Sequence, residues 1–133
     1  MGGSELLLQA KCPRCGESLM SPDVVVDGRP SVDLLARVGG NVGHIHLSPV
    51  YGNFHKRVLG VHEVPGSVET ISCPRCLAPF PVRGACACGA PLVELDLLCG
   101  GLMRFCTRDG CREHHLEFEE PDDAFLLYEN QGE

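Results

Sequence analysis

Four short cysteine groups carry the chemistry of this sequence. Cys12-Pro13-Arg14-Cys15-Gly16 and Cys73-Pro74-Arg75-Cys76 share one tetrapeptide turn. Cys86-Ala87-Cys88-Gly89 and Cys106-Thr107-Arg108-Asp109-Gly110-Cys111 are looser versions of it, and Cys99 stands alone. A Cys-x-x-Cys turn aims two thiolates at one point, and a following glycine relieves crowding where the chain passes beneath, often at positive φ. Two such turns joined through a β-hairpin present four sulfurs as a tetrahedron, the geometry Zn²⁺ prefers at Zn–S distances of about 2.3 Å. The groups therefore pair into two metal sites, Cys12/Cys15/Cys73/Cys76 and Cys86/Cys88/Cys106/Cys111. Buried reduced thiols would leave the repeated Cys-Pro-Arg-Cys unexplained.

Flanking residues sort the groups into two kinds. The first and third end in Cys-Gly and run through a small turn to an apolar residue, Leu19 or Leu92. The second and fourth follow strand-like runs, Val68-Glu69-Thr70-Ile71-Ser72 and Leu102-Met103-Arg104-Phe105. The order is opening turn, hairpin, strand, closing turn, then the same again: an internal repeat with unequal spacers. This gives a first module over 11–76, a compact second module over 85–118, and a tail over 119–133. In the second module, Leu92-Val93-Glu94-Leu95-Asp96-Leu97-Leu98 alternates as a half-buried strand, Cys99-Gly100-Gly101 turns, and Leu102–Phe105 returns.

The first module holds a 57-residue spacer between Cys15 and Cys73. Asp23–Gly28 reads as a strand into a turn. Ser31–Val38 reads as a two-turn helix, with Ser31 as N-cap and Gly39 as its stop. His44–Ser48 alternates as a strand, Val58–Val64 reads as another, and Pro65-Gly66 turns the chain toward Cys73. In the tail, Pro121 and the acids around it suit the first turn of a short helix docking through Phe125 and Tyr128 or through Leu126 and Leu127. The expected fold is a small, metal-stabilised, mostly-β (α+β) chain with an inserted helix, extra strands and a C-terminal helix.

The Cys-Pro-Arg-Cys pair resembles the zinc-ribbon (rubredoxin-like knuckle) superfamily, and the second module looks like the same family with altered spacings. The resemblance covers roughly half the chain. It implies two structural zinc ions held by the eight paired cysteines, with iron in one or both sites as the alternative. The one-residue and four-residue spacings of the second module leave Cys99, His114 and His115 as substitutes for a cysteine there. Ribbons serve in transcription, RNA modification, electron transfer and as passive subunits, so the fold alone does not give a function.

Charge and composition narrow the choice. There are 11 Lys+Arg against 18 Asp+Glu, a net charge of −7 with the thiols counted as neutral. Eight thiolates on two Zn²⁺ ions take it to about −11. Only two of the cations are lysines, Lys11 and Lys56, and the arginines are scattered, which speaks against tracking a phosphate backbone. No apolar run approaches the roughly 20 residues of a membrane span, and the N-terminus lacks a signal-peptide pattern. The cytoplasm is the default, and nine cysteines in a reducing compartment point to metal over disulfides. No nucleophile elbow, phosphate loop or dinucleotide fingerprint is present, and four thiolates leave a zinc ion no open position. The sequence therefore reads as a non-enzymatic adaptor or accessory subunit with a protein partner, the first-module spacer being its contact surface. An iron-based electron carrier is the main rival, and a nucleic-acid-binding ribbon a lesser one. His44 and His46 share a strand face. With His55 and His62 they read as hydrogen-bonded surface histidines, a third metal site being the sharper alternative.

Overall fold

The computed structural model describes residues 7–51, 53, 55–98 and 100–111, together with the backbone of His114–Glu117. Among these residues it is all strand and turn. The strands are β1 (Ala10–Lys11), β2 (Met20–Val26), β3 (Arg29–Val38), β4 (Asn41–Leu47), β5 (Lys56–Leu59), β6 (Thr70–Ser72), β7 (Val82–Ala85), β8 (Pro91–Leu97), β9 (Gly101–Cys106) and β10 (His114–Glu117). They form two five-stranded sheets.

In the first sheet the order is β2-β3-β4-β5, with β6 sharing an edge of β3 with β2. β2 pairs with the start of β3, Val26 opposite Arg29, and β6 with its end, Ile71 opposite Ala36. The second sheet repeats this plan: β8-β9-β10 run side by side, and β7 and β1 divide the free edge of β8. All strand pairs are antiparallel.

The helix expected over Ser31–Val38 is a strand, part of β3. Val32, Leu34, Ala36 and Val38 are buried, while Asp33, Leu35 and Arg37 are more exposed. That is the period of two of a strand with one covered face. The Leu34-Leu35 doublet masks the alternation in the sequence. Gly39, read as a helix stop, is instead half of a hairpin loop: Gly39 and Gly40 sit at φ 57° and 92°, and Val38 pairs with Asn41. Two consecutive positive-φ residues are what a type I′ turn demands. The strand expected over Val58–Val64 lies earlier, at Lys56–Leu59, because Gly60 at φ 82° turns the chain away. The C-terminal helix lies outside the described residues, as does Cys99.

The inner faces of the two sheets share one core. Val32, Leu34, Ala36, Ile45 and Ile71 of the first sheet belong to the same buried cluster as Val93, Leu95, Leu97 and Met103 of the second. Cys12 and Cys73 are part of that cluster, whereas Cys86 and Cys106 form a small separate one with Ala90. No helix among the described residues is long and apolar enough to cross a membrane.

Candidate metal centres

The first cysteine set sits where the chain changes sheets. β1 belongs to the second sheet and leads into Cys12–Cys15; β2, which follows, belongs to the first. β6 belongs to the first sheet and leads into Cys73–Cys76; β7, which follows, belongs to the second. The two turns thus cross between the sheets in opposite directions and meet at one point.

Their local structures match bond for bond. Cys12 N–H donates to Glu17 O and Cys73 N–H to Ala78 O, both at 3.0 Å. Gly16 N–H reaches back to Cys12 O and Leu77 N–H to Cys73 O, both at 2.9 Å. Each Cys-Pro-Arg-Cys arginine braces the opposite turn: Arg14 Nε donates to Pro79 O at 2.9 Å, and Arg75 Nε to Ser18 O at 3.3 Å. This exchange accounts for the arginine in both copies, a role the sequence signals only through its repetition.

The sulfur geometry distinguishes metal ligands from disulfides. Cys12 Sγ lies 3.9 Å from Cys76 Sγ, and Cys15 Sγ 3.9 Å from Cys73 Sγ. In the second set, Cys86 to Cys111 is 3.7 Å and Cys88 to Cys106 is 3.4 Å. A tetrahedron with metal–sulfur bonds of about 2.3 Å has edges of about 3.8 Å, whereas a disulfide would bring sulfurs to about 2.0 Å. Within each tetrad all four Sγ atoms lie within 4.8 Å of one another. Backbone N–H groups already point at the buried sulfurs: Arg14 and Cys15 at Cys12 Sγ (3.3 and 3.5 Å), Arg75 and Cys76 at Cys73 Sγ (3.2 and 3.4 Å). Such donors stabilise thiolate over thiol. The donor sets therefore fit two tetrathiolate metal ions.

The second tetrad is built between the ends of β7, β8 and β9. Cys86 N–H donates to Ala90 O at 2.8 Å, and Gly89, at φ 96°, closes the short turn by donating to Cys86 O at 2.8 Å. Arg108 clamps the site: its backbone N–H lies 3.5 Å from Cys106 Sγ, its Nε 3.5 Å from Cys88 Sγ, and its Nη1 donates to Gly66 O at 2.8 Å. Backbone donation from Ala90, then Arg108, pulls the Cys88 thiol down to about 6. Burial pushes Cys73 and Cys106 up to about 12 as free thiols, so a metal must displace their protons. Among the described residues no further His, Cys, Asp or Glu joins the four cysteines of this tetrad; Cys99 and the side chains of His114 and His115 lie outside them.

Two further polar clusters lie away from the tetrads. On the outer face of the first sheet, His44 Nδ1 lies 2.8 Å from Asp33 Oδ1, and buried His46 shares a 2.9 Å hydrogen bond with Ser31 Oγ. His55 pairs with Asp27 at 2.8 Å. His44, His46 and His55 are hydrogen-bonded, but His46 is buried and not at the surface. The ligand atoms of Asp33, His44 and His46 lie within 4.8 Å of one another, so the group also has the form of the third metal site that was the alternative. The second cluster, between the sheets, joins Lys56, Glu63, Glu69 and Asp109, residues far apart in sequence with no spacing to announce them. Lys56 Nζ lies 2.6 Å from Glu63 Oε1 and 3.0 Å from Asp109 Oδ1. Burial, then Glu63, pushes the Glu69 carboxyl up to about 8.

A carboxyl raised in the folded state binds its proton more tightly there than in the unfolded chain. Its contribution is whole below the unfolded value of about 4.3 and is lost as pH rises through about 8. Lys56, Glu63 and Asp109 face it directly, and His55 and Arg108 line the same cavity. Glu69→Gln should therefore gain stability relative to the parent chain between pH 6.5 and 8.5. Urea unfolding at both pH values checks this; a difference that does not change with pH would contradict it.

No protein-family model matches this chain, and no curated protein or solved structure matches it. The likeness to zinc ribbons therefore rests on the two tetrads, whose geometry is compatible with that fold.

Proposed function

We propose that the two tetrads hold structural Zn²⁺ ions in zinc-ribbon fashion, and that the chain is a non-catalytic adaptor or accessory subunit, working in a reducing compartment, that docks on a protein partner. The observation that carries the first half is the closure of both donor sets. Four converging sulfurs leave no coordination position for a water or substrate, which a catalytic zinc requires.

The second half is supported by Leu77. It takes the place in the second turn that Gly16 takes in the first, at φ 66° against 77°. An L-residue there costs about 1 kcal/mol. Among the described residues little packing offsets this for the leucine, whose side chain is 66% exposed. Val82, a few residues on, is 56% exposed. A strained, exposed leucine on a metal-rigidified turn is suited to inserting into a partner.

Two measurements test the reading. Elemental analysis of anaerobically purified protein should return two zinc ions per chain and a colourless solution. The visible absorption of an iron tetrathiolate would instead support the electron carrier. Leu77→Gly relieves left-handed strain of about 1 kcal/mol but adds comparable entropy to the unfolded chain, so urea stability should change by less than about 1 kcal/mol while co-purification of the partner is abolished. Retention of the partner by this folded variant would refute docking through this turn.

A further inference from the structure

Between the two sheets lies a cavity of about 360 Å³. Val32, Leu34 and Ile45 of the first sheet wall one side, and Met103 and Phe105 of the second wall another. One end is polar and carries Lys56, Glu63, Glu69 and Asp109. Backbone bonds fix that end. Glu69 N–H donates to Thr107 O (2.9 Å), Asp109 N–H to Ser67 O (2.8 Å) and Gly66 N–H to Asp109 O (3.1 Å). The loop bearing Glu69 is thus zipped to the turn of the second metal centre.

Three carboxyl groups meet at this end, and the Lys56 ammonium directs its hydrogen bonds to two of them, Glu63 and Asp109. The Arg108 guanidinium on the same lining is taken up by Gly66 O and Cys88 Sγ, so Glu69 is left without a cation and holds a proton instead. Glu63 Oε2 and Glu69 Oε2 are buried with no hydrogen-bond donor, and Glu69 is only 7% exposed. Buried acceptors are ordinarily satisfied, and here the proton that Glu69 holds against Glu63 is the donor the pair has beside the cavity, the place an incoming cation would take. Walls that are apolar, with a few convergent polar groups at one end, are the common form of a small-molecule site.

We propose that this cavity binds a small organic cation, its hydrocarbon body between the sheets and its ammonium or amidinium head against Glu69 and Glu63. A divalent metal ion fits less well. Lys56 opposes any cation here, but a divalent ion would meet twice the repulsion of a monovalent head and would leave the apolar walls unused. Retention of a proton by Glu69 up to about pH 8 is consistent with a site that lacks one positive charge. The reading stands whether the tetrads hold zinc or iron.

The test uses the protein as purified, with its metals, and three isosteric probes: 2-phenylethylammonium, 2-phenylethanol and phenylacetate. Binding is followed by calorimetry and by NMR of the Val32, Ile45 and Met103 methyls. The ammonium should bind at least tenfold more tightly than the alcohol, phenylacetate should not bind, and those methyl signals should shift. Glu69→Gln should weaken the ammonium at least tenfold and leave the alcohol unchanged. Lys56→Met, which removes the competing internal cation, should tighten the ammonium at least threefold, so a loss caused by misfolding cannot mimic both results. Equal binding of ammonium and alcohol would overturn the proposal. So would no methyl shift at 10 mM probe, or saturable binding of Mg²⁺, Ca²⁺ or Mn²⁺ at the three carboxylates.

Discussion

Removing the second turn from the first metal centre, by Cys73→Ser with Cys76→Ser, should unfold both sheets. The matching change in the second centre, Cys86→Ser with Cys88→Ser, should disorder only the nearby end of one sheet. The difference follows from position. Cys12 and Cys73 are 1% and 0% exposed and belong to the core shared by both sheets, at the two places where the chain crosses between them. Cys86 and Cys106 belong to a separate small cluster at the ends of β7, β8 and β9. A structural zinc contributes on the order of 10 kcal/mol, comparable to the whole stability of a domain. With the proposed zinc ions bound, that energy would hold the sheets together at the first tetrad and finish one of them at the second. Metal content should fall by one ion in the second variant, with amide exchange in β3 unchanged. Protected amides persisting in both β3 and β8 of the first variant would show that the apolar core suffices without the metal.

Gly43→Ala should destabilise the chain by about 3 kcal/mol, more than a surface strand position would allow. Gly43 lies on the inner face of β4, and after β5 the chain folds across it. A Cβ there would clash with Leu59 O and lie 2.8 Å from Val61 Cβ. Backbone stands in the way, so the crossing segment itself must move. That segment leads directly to Glu63, and displacing it would draw the carboxylate from Lys56, 2.6 Å away. Urea unfolding gives the stability change, and the Lys56 side-chain NMR signals report the lost pairing. A cost below about 0.5 kcal/mol would mean that the segment does not pack on Gly43 as described.

Period and turn chemistry alone point to the strands nearest the cysteines, β8 and β9 above all, because Glu94 and Asp96 alternate with leucines at the centre of β8 and a glycine-rich turn leads into β9. β3 was misread where Leu34-Leu35 breaks the pattern and Gly39 suits either a helix stop or a hairpin. Short elements such as β1 and β7 carry no periodicity of their own. They are strands because β8 offers them an edge, a condition set by distant residues.

The two tetrads are a different matter. Thiolate pairs in tight turns are local chemistry, so composition and spacing alone picked out the eight sulfurs that the fold gathers into two sets, and the charge balance came with them. Only the tertiary structure decided that one set ties two sheets together while the other closes the end of one. It also decided that Lys56, Glu63, Glu69 and Asp109 meet beside a cavity. Those outcomes depend on which strand edges pair across long stretches of chain, and non-local pairing leaves no periodic trace in the residues that it joins.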